Sequence, residues 1–507
     1  MRFVLVGILL IAAAIRLPLL DTVPAAMFSD ELSTGYDAYS LLQTGRDIYG
    51  ESWPILTRSF NTYPEASYRY LTMPSVALLG LTSTAVRLPA ALIGILTVYV
   101  LFLLGREVYG PVIGLGAAAA LALSPWHIQF SRIGFRSILL PLLVAVGLLF
   151  WMRFLRGKRP HDLMIGALSI ALSLYSYISA RVFVPFLILA LVVVYFQDIR
   201  QAGRVVWGAV GVGLVAVGIL LPIWISETGM VRLTQTGLVD PTEMIANYLS
   251  YFSPDFLFWS GDPELRHSPS AFGQLHVFEA VFVVAGLITI WKRRSRFDSL
   301  LLAWLLLYPI PAFLISPDHA LRSVAGIGVF AILSGIGIGK LWSFGSGQRQ
   351  WVMRVAIVIV LIGSGAAHAS HYFGRYAAES ATSWQYGVKE AFDYALDSDY
   401  RCVIVSNNGY LYPPYIFPLF YDAFPPDIYQ QLPMEDRVRQ WMHRPKPLGT
   451  MYVKRVSDIR LNRGRCLIIL RPDEVPILGA NGYEPIPMKT ISSPTGEPVL
   501  ELVELNK

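Results

Sequence analysis

The chain reads as an all-α polytopic membrane protein carrying a small α/β domain at its C-terminal end, and three observations predict this. Of its 507 residues, 54% are hydrophobic and only 15% charged. The apolar residues gather into eleven runs of near-spanning length. After about residue 369 the pattern changes to short apolar runs separated by Pro- and Gly-rich turns. A soluble domain of this size has no use for so much apolar surface, whereas helices facing lipid do. The mean hydropathy of +0.51 agrees, and 12 Trp with 26 Tyr suit the wet edges of a bilayer. The net charge of +6 is no nucleic-acid footprint, because Arg and Lys lie mostly in short loops between apolar runs.

The runs lie near 3–20, 86–104, 111–124, 137–152, 163–178, 182–196, 205–224, 276–291, 299–315, 323–341 and 351–368. Several fall short of the ~20 residues that cross a bilayer upright. The first lacks an A-x-A-like cleavage site and is followed by more runs, so a retained helix is expected and not a signal peptide. Loops 153–162, 197–204, 292–298 and 347–354 hold most of the loop basic charge, which makes them cytoplasmic by the positive-inside rule. The chain then crosses a cell (plasma) membrane many times, with its N-terminus in the cytoplasm. Residues 21–85, 125–136, 177–181, 225–275, 316–322 and everything after 369 lie outside. Two domains follow: a transmembrane part, 1–369, with outward loops 21–85 and 225–275, and an extracytoplasmic part, 370–507.

In loop 21–85, Leu32, Tyr36, Tyr39 and Leu42 recur at helical spacing, which predicts a helix lying in the membrane interface. In the tail, WQYGVKEAFDYAL reads as a helix, and CVIVSN and CLIIL read as strands. Cys402 and Cys466 open those two strands. An oxidising compartment permits a disulfide between them, and two small buried core residues explain them equally well. No solenoid repeat or low-complexity tract is present.

The chemistry-bearing feature is an acidic pair, Asp30-Glu31, just after the first apolar run. Further matches are RLPAALIGILTVYVLFLLGREVYG (87–110), SPWHIQFSRIGFRS (124–137) and LYSYISARVFVP (174–185). In this order, over roughly residues 1–340, the chain resembles the GT-C glycosyltransferases. The specific likeness is to the dolichyl-phosphate-mannose protein mannosyltransferase-like group, which includes bacterial aminoarabinose transferases using polyprenyl-phosphate sugars. The resemblance implies a GT-C fold and inverting transfer of one hexose-type sugar from a polyprenyl-phosphate donor. The acceptor would be a protein, lipid or glycan at the outer face, with membrane lipids as surroundings and no nucleic-acid partner.

The resemblance puts the general base on Asp30, which would take the proton of the attacking hydroxyl. Asp before an apolar-periodic segment is also a common N-cap. Glu31 would orient Asp30 or the acceptor; the alternative is a solvated acid at a positive helix end. The departing phosphate needs a cation that keeps its proton, and an arginine fork holds phosphate oxygens bidentately. The resemblance assigns this role to Arg132, with Arg136 one helical turn on; either could instead snorkel to headgroups. This loop departs from the protein mannosyltransferases, in which an acid follows the arginine; here Ser137 and Ile138 stand nearby.

Other outward candidates for the same cavity are Tyr175, Tyr177 and Arg181, then Asp262, Arg266 and His267, then Asp318, His319 and Arg322. An aromatic belt is the default reading of the two tyrosines. No cofactor is implied; Asp318 with His319 could also suggest a divalent metal, against which stands the lack of a second His or carboxylate at fixed ligand spacing. Asp397-Ser398-Asp399 reads as a turn and not a nucleotide-sugar motif, and Trp384-Gln385-Tyr386-Gly387 as structural. Gly335, Gly337 and Gly339 fit close helix packing. A non-enzymatic transporter or flippase of lipid-linked glycans shares the spans but should carry ionisable residues mid-span. An oligosaccharide ligase of the same superfamily is the other alternative.

Overall fold

A backbone in lipid must satisfy its own N–H and C=O groups, so the long apolar runs become helices. The computed structural model describes residues 1–59, 62–226, 239–269, 271–400, 402–432, 442–443, 450–461 and 464–506. Of the expected outward loop 225–275, residues 227–238 and 270 lie outside the described residues. The first nine helices are α1 (Arg2–Arg16), α2 (Ser29–Thr44), α3 (Ser67–Leu79), α4 (Ser83–Tyr109), α5 (Pro111–Leu123), α6 (Pro125–Phe130), α7 (Leu139–Gly157), α8 (Pro160–Ser173) and α9 (Ala180–Val194).

Among the described residues, five helical stretches are long and apolar enough to cross a membrane: Ser83–Tyr109, Arg136–Gly157, Val205–Trp224, Arg296–Phe313 and Gly347–Glu379. Three shorter apolar helices, Pro111–Leu123, Ala180–Val194 and Gly326–Trp342, occupy further expected runs. The protein is thus mostly helical and membrane-like, with a small C-terminal sheet.

By Cα proximity the chain forms two compact units. The first comprises Met1–Pro18, Asn61–Tyr68 and Arg87–Gly374, and the second Leu19–Phe60, Arg69–Val86 and Arg375–Lys507. This partition is interleaved, whereas the composition changes only once, near residue 370.

In the first unit, the helix Gly326–Trp342 packs against α5 and against the helix Glu279–Arg293. Small residues make this approach possible, since lipid supplies no hydrophobic drive between helices. A Cβ on Gly335 would stand 2.5 Å from the Ala117 nitrogen, and Gly337 and Gly286 face the carbonyls of Phe282 and Leu333 still more closely. α7 packs on α8, and α8 on the helix Val205–Trp224. That last helix leaves Trp207, Leu214 and Val215 exposed, as a lipid-facing surface requires.

The second unit holds a six-stranded mixed sheet in the order β2-β3-β1-β4-β6-β5. Its strands are β1 (Cys402–Ser406), β2 (Met442–His443), β3 (Thr450–Lys454), β4 (Arg465–Leu470), β5 (Ile486–Ser492) and β6 (Pro498–Asn506). β1 runs parallel to β3 and β4, while β6 pairs antiparallel with β4 and β5. Strand alternation sends Val403, Val405, Leu467, Ile469, Leu500 and Leu502 to one face. There they meet Ala391 and Phe392 of the helix Val388–Asp397. The opposite face sends Ile404, Ile468 and Val503 onto Ile459 and Leu478.

Helix α2 forms where its spacing predicts, but it does not present an apolar face to a membrane interface. Leu32 and Tyr36 belong to the sheet's first core, with Phe417 and Phe420. The Tyr36 hydroxyl donates to the Phe424 carbonyl at 2.7 Å, while Leu42 is left exposed. Periodicity marks an apolar stripe but not what covers it, and here the cover is protein.

Cys402 and Cys466 open adjacent parallel strands, and they are joined as a disulfide with a Cα–Cα distance of 4.6 Å. Asp397-Ser398-Asp399 ends a helix, and the Asp399 carboxylate accepts from Arg465. Cross-linking positions 64 residues apart restrains the unfolded chain, so Cys402→Ser should destabilise the second unit by ~2–5 kcal/mol. Chemical unfolding followed by a probe in that unit, with and without reductant, checks this: the variant should be insensitive to reductant and match the reduced parent.

Candidate functional site

The acidic pair lies in the second unit, where local hydrogen bonds decide what each carboxylate can do. Phe28 precedes α2 in an extended conformation, and its N–H donates to Glu31 Oε2 at 3.3 Å. The next N–H, of Ser29, donates to Gln385 Oε1 at 2.9 Å. Two of the donor groups that a helix start leaves open are thus satisfied. Gln385 is anchored in turn, its amide donating to the carbonyls of Tyr410 (2.8 Å) and Tyr412 (3.2 Å). Glu31 is buried and engaged in the cap, while Asp30 on the same turn is exposed.

Farther along α2, Asp37 accepts from Arg69 Nε at 2.6 Å and from the Ile48 N–H at 3.1 Å. Asp47 Oδ1 accepts the N–H groups of Tyr49 and Glu51, both at 2.9 Å. Burial, aided by the nearby Asp37 carboxylate, pushes the Asp47 carboxyl up to about 7.

The arginine candidates lie in the first unit. Ser124 caps α6, its Oγ accepting the His127 N–H at 3.3 Å, with Pro125 at the first helical position. After that short helix comes Arg132, fully buried, with Nη1 donating to the Ile15 carbonyl at 2.7 Å. Its guanidinium lies over the rings of Phe373 (4.8 Å) and Tyr372 (5.5 Å).

A second buried cation, Arg16, was not singled out by the sequence reading. It donates to the carbonyls of Ala122 (2.9 Å) and Leu121 (3.2 Å) and lies 3.0 Å from His127 Nδ1. Its signal was an arginine inside an otherwise apolar run, the kind of residue that marks function in a membrane.

Arg136 and Arg181 converge on Glu65, also missed from sequence. Arg136 Nε lies 2.9 Å from Oε2, and Arg181 Nη2 lies 2.9 Å from Oε1. Burial alone would raise the Glu65 carboxyl, but the two arginines outweigh it and hold it below the ordinary glutamate value. Arg136 also lies over the ring of Tyr177, and Arg181 over that of Trp224. Tyr175 turns elsewhere, donating to the Ala216 carbonyl at 3.0 Å.

The remaining candidates form a third group in the first unit. Asp262 Oδ2 lies 2.9 Å from His267 Nδ1 and 3.7 Å from His319 Nδ1. Folding thus supplies the partners that sequence spacing did not offer His319. Burial, with the His267 imidazole, pushes His319 down to about 3. Asp318 is raised by burial, which a hydrogen bond with Ser250 only partly offsets. Arg266 pairs with Glu264 at 2.9 Å, and its carbonyl accepts from Gln129 Nε2 at 2.8 Å. Arg322 is half-buried, with Nη1 lacking a hydrogen-bond partner among the described residues.

Residues 67–225 match the family model described as dolichyl-phosphate-mannose-protein mannosyltransferase. The sequence has no match among curated proteins. ArnT from Cupriavidus metallidurans in the apo state is similar at 13% identity and a TM-score of 0.61, over 99% of this chain and 97% of that one. The same protein bound to undecaprenyl phosphate is similar at 14% identity and 0.58, over 98% and 97%. The Archaeoglobus fulgidus oligosaccharyltransferase, tethered with an acceptor peptide containing the NVT sequon, gives 13% and 0.52, over 98% and 73%. At these identities the likeness is one of fold, and the fold is the GT-C fold.

Replacing Gln385 by Leu leaves the Ser29 N–H without its acceptor, at a cost of ~1–3 kcal/mol for a buried group. Calorimetry of Gln385→Leu should show that loss, and Gln385→Glu should lose stability as well, because a carboxylate oxygen would replace the donor to the Tyr410 and Tyr412 carbonyls. A second outcome concerns pH. The folded value of Asp47 lies above its ordinary 3.8, so the folded state holds the extra proton. Its contribution is full below about pH 4 and is lost as pH rises to about 7, at no more than ~1.4 kcal/mol per unit. Asp47→Asn removes this loss, so thermal midpoints of variant and parent should diverge from pH 4 to 7 and run parallel above. A constant difference across that range contradicts the assignment.

Proposed function

We propose that this chain is a membrane glycosyltransferase that moves a hexose-type sugar from a polyprenyl-phosphate carrier to an acceptor hydroxyl on the extracytoplasmic face. The observation that carries this reading is the end-to-end likeness of fold to a transferase crystallised with undecaprenyl phosphate. The family match over residues 67–225 adds to it. On this reading residues 1–369 form the transmembrane catalytic part and 370–507 an extracytoplasmic domain, with the N-terminus in the cytoplasm.

The chemistry is a single displacement at the anomeric carbon. The acceptor oxygen forms its bond to that carbon as the carbon–oxygen bond to the lipid phosphate breaks, inverting the centre. The acceptor proton passes to the Asp30 carboxylate, and the polyprenyl phosphate departs with the bonding electron pair. Exposure of Asp30 supports this role, since a base must reach its substrate, whereas the buried Glu31 holds the helix start. Arg132 is the cation assigned to the leaving phosphate, because a permanent positive charge stabilises the charge that develops there. The Glu65-linked pair Arg136 and Arg181 is the further cationic element. The Arg136 guanidinium lies over the Tyr177 ring, 5.2 Å from its centroid.

Asp30→Asn keeps the side-chain shape and removes its basicity. The variant should fold and bind donor normally, with transfer slowed by about 10²–10⁴, the range for loss of a positioned general base. Turnover within a few-fold of the parent removes Asp30 from catalysis and favours a non-enzymatic handler of lipid-linked glycans. Arg132→Ala should weaken donor binding and slow transfer together by roughly ten- to a hundredfold, corresponding to ~1.5–3 kcal/mol for a charge-assisted contact. Unchanged donor affinity in the folded variant moves the phosphate contact elsewhere.

A further inference from the structure

Asp262, His267 and His319 come from two loops far apart in sequence, yet one ligand-type atom of each lies within 4.8 Å of the others. A tetrahedral zinc with bonds of ~2.0–2.1 Å sets its ligand atoms about 3.3 Å apart. The two measured edges, 2.9 Å from Asp262 Oδ2 to His267 Nδ1 and 3.7 Å to His319 Nδ1, bracket that spacing. The His319 nitrogen is buried and has no hydrogen-bond partner among the described residues, though it points at a carboxylate oxygen. Such a nitrogen is costly unless something fills the gap.

The carboxylate is already fixed from behind. The Ala320 N–H donates to Oδ2 at 2.8 Å and the Glu264 N–H to Oδ1 at 2.8 Å. Backing of this kind orients metal ligands. The two imidazole rings are close neighbours, with centroids 4.9 Å apart and planes 20° from parallel, so binding one ion requires the rings to turn about their side-chain bonds until both nitrogens point to it.

We propose that Asp262, His267 and His319 bind one zinc-class divalent cation, with a fourth position open to water or another oxygen ligand. Two imidazoles and one carboxylate suit zinc; calcium and magnesium prefer all-oxygen sets. The ion would pin the loop carrying residues 262–267 to the loop carrying residues 319–320. Both loops grip α6, through Gln129 to the Arg266 carbonyl at 2.8 Å and through Trp126 Nε1 to the Ala320 carbonyl at 3.1 Å. The metal therefore braces the helix that leads into Arg132. This inference rests on ligand geometry and not on the transfer reaction.

The test uses the full chain in detergent, stripped with a chelator and titrated with Zn²⁺. The parent should take up one equivalent, gain thermal stability on adding Zn²⁺ and lose it on adding EDTA. Cobalt in place of zinc should give the visible bands of a low-symmetry site in the parent, a readout that needs no variant. His319→Ala and His267→Ala should weaken binding by about tenfold or more and abolish the thermal response. Absence of stoichiometric uptake by the parent overturns the proposal. So does undiminished affinity in a folded His319→Ala chain, which would locate the metal elsewhere.

Discussion

Backbone-to-backbone contact at glycine is the constraint on which the membrane unit depends. In lipid, side chains gain little by leaving one apolar medium for another, so helices associate through close packing. The helix Gly326–Trp342 meets α5 at Gly335 and the helix Glu279–Arg293 around Gly337, with no room for a Cβ at either contact. Much else hangs from this element. α5 leads through Ser124 into α6 and Arg132, while the segment just before Gly326 carries His319 and Ala320. A shift at Gly335 would be felt at both.

A second theme is how charge is kept in such an apolar unit. Arg16 and Arg132 use backbone carbonyls and ring faces, and Arg136 and Arg181 share Glu65. Breaking such a buried set by removing one partner is costly, because the remaining charge is stranded. The second unit solves a different problem. It caps α2 from a distant turn through Gln385, so the chain near Trp384 and the chain near Asp30 are set by one amide. That gives the short Trp384–Gly387 element a concrete structural role.

Much of the helical layout was legible because spans are long and composition is extreme. The run 205–224 forms a helix over the same residues, and the strand-like runs at Cys402 and Cys466 form β1 and β4. The disulfide was one of two open readings, since spacing does not report Cα separation. The number of crossings was less legible, because short helices such as Ala180–Val194 do not reveal from sequence how they sit in a bilayer. The setting of α2 was misread, for an apolar stripe looks the same whether lipid or a sheet covers it. Glu65 escaped notice because it acts through Arg136 and Arg181, far away in the chain, and no local pattern announces a long-range ion pair; Gln385 was legible as structural, but its partner at Ser29 was not. Asp262, His267 and His319 were each legible as candidates, but their convergence across two loops was not.

The central claim is that a lipid phosphate leaves as a sugar moves. Its most direct measurement incubates the purified full-length chain with radiolabelled polyprenyl-phosphate sugars and native membranes, following both label and lipid. The account predicts that label passes to an acceptor while an equal amount of free polyprenyl phosphate appears. Label that remains on the carrier across the sugar panel, or that only changes membrane leaflet, would contradict it.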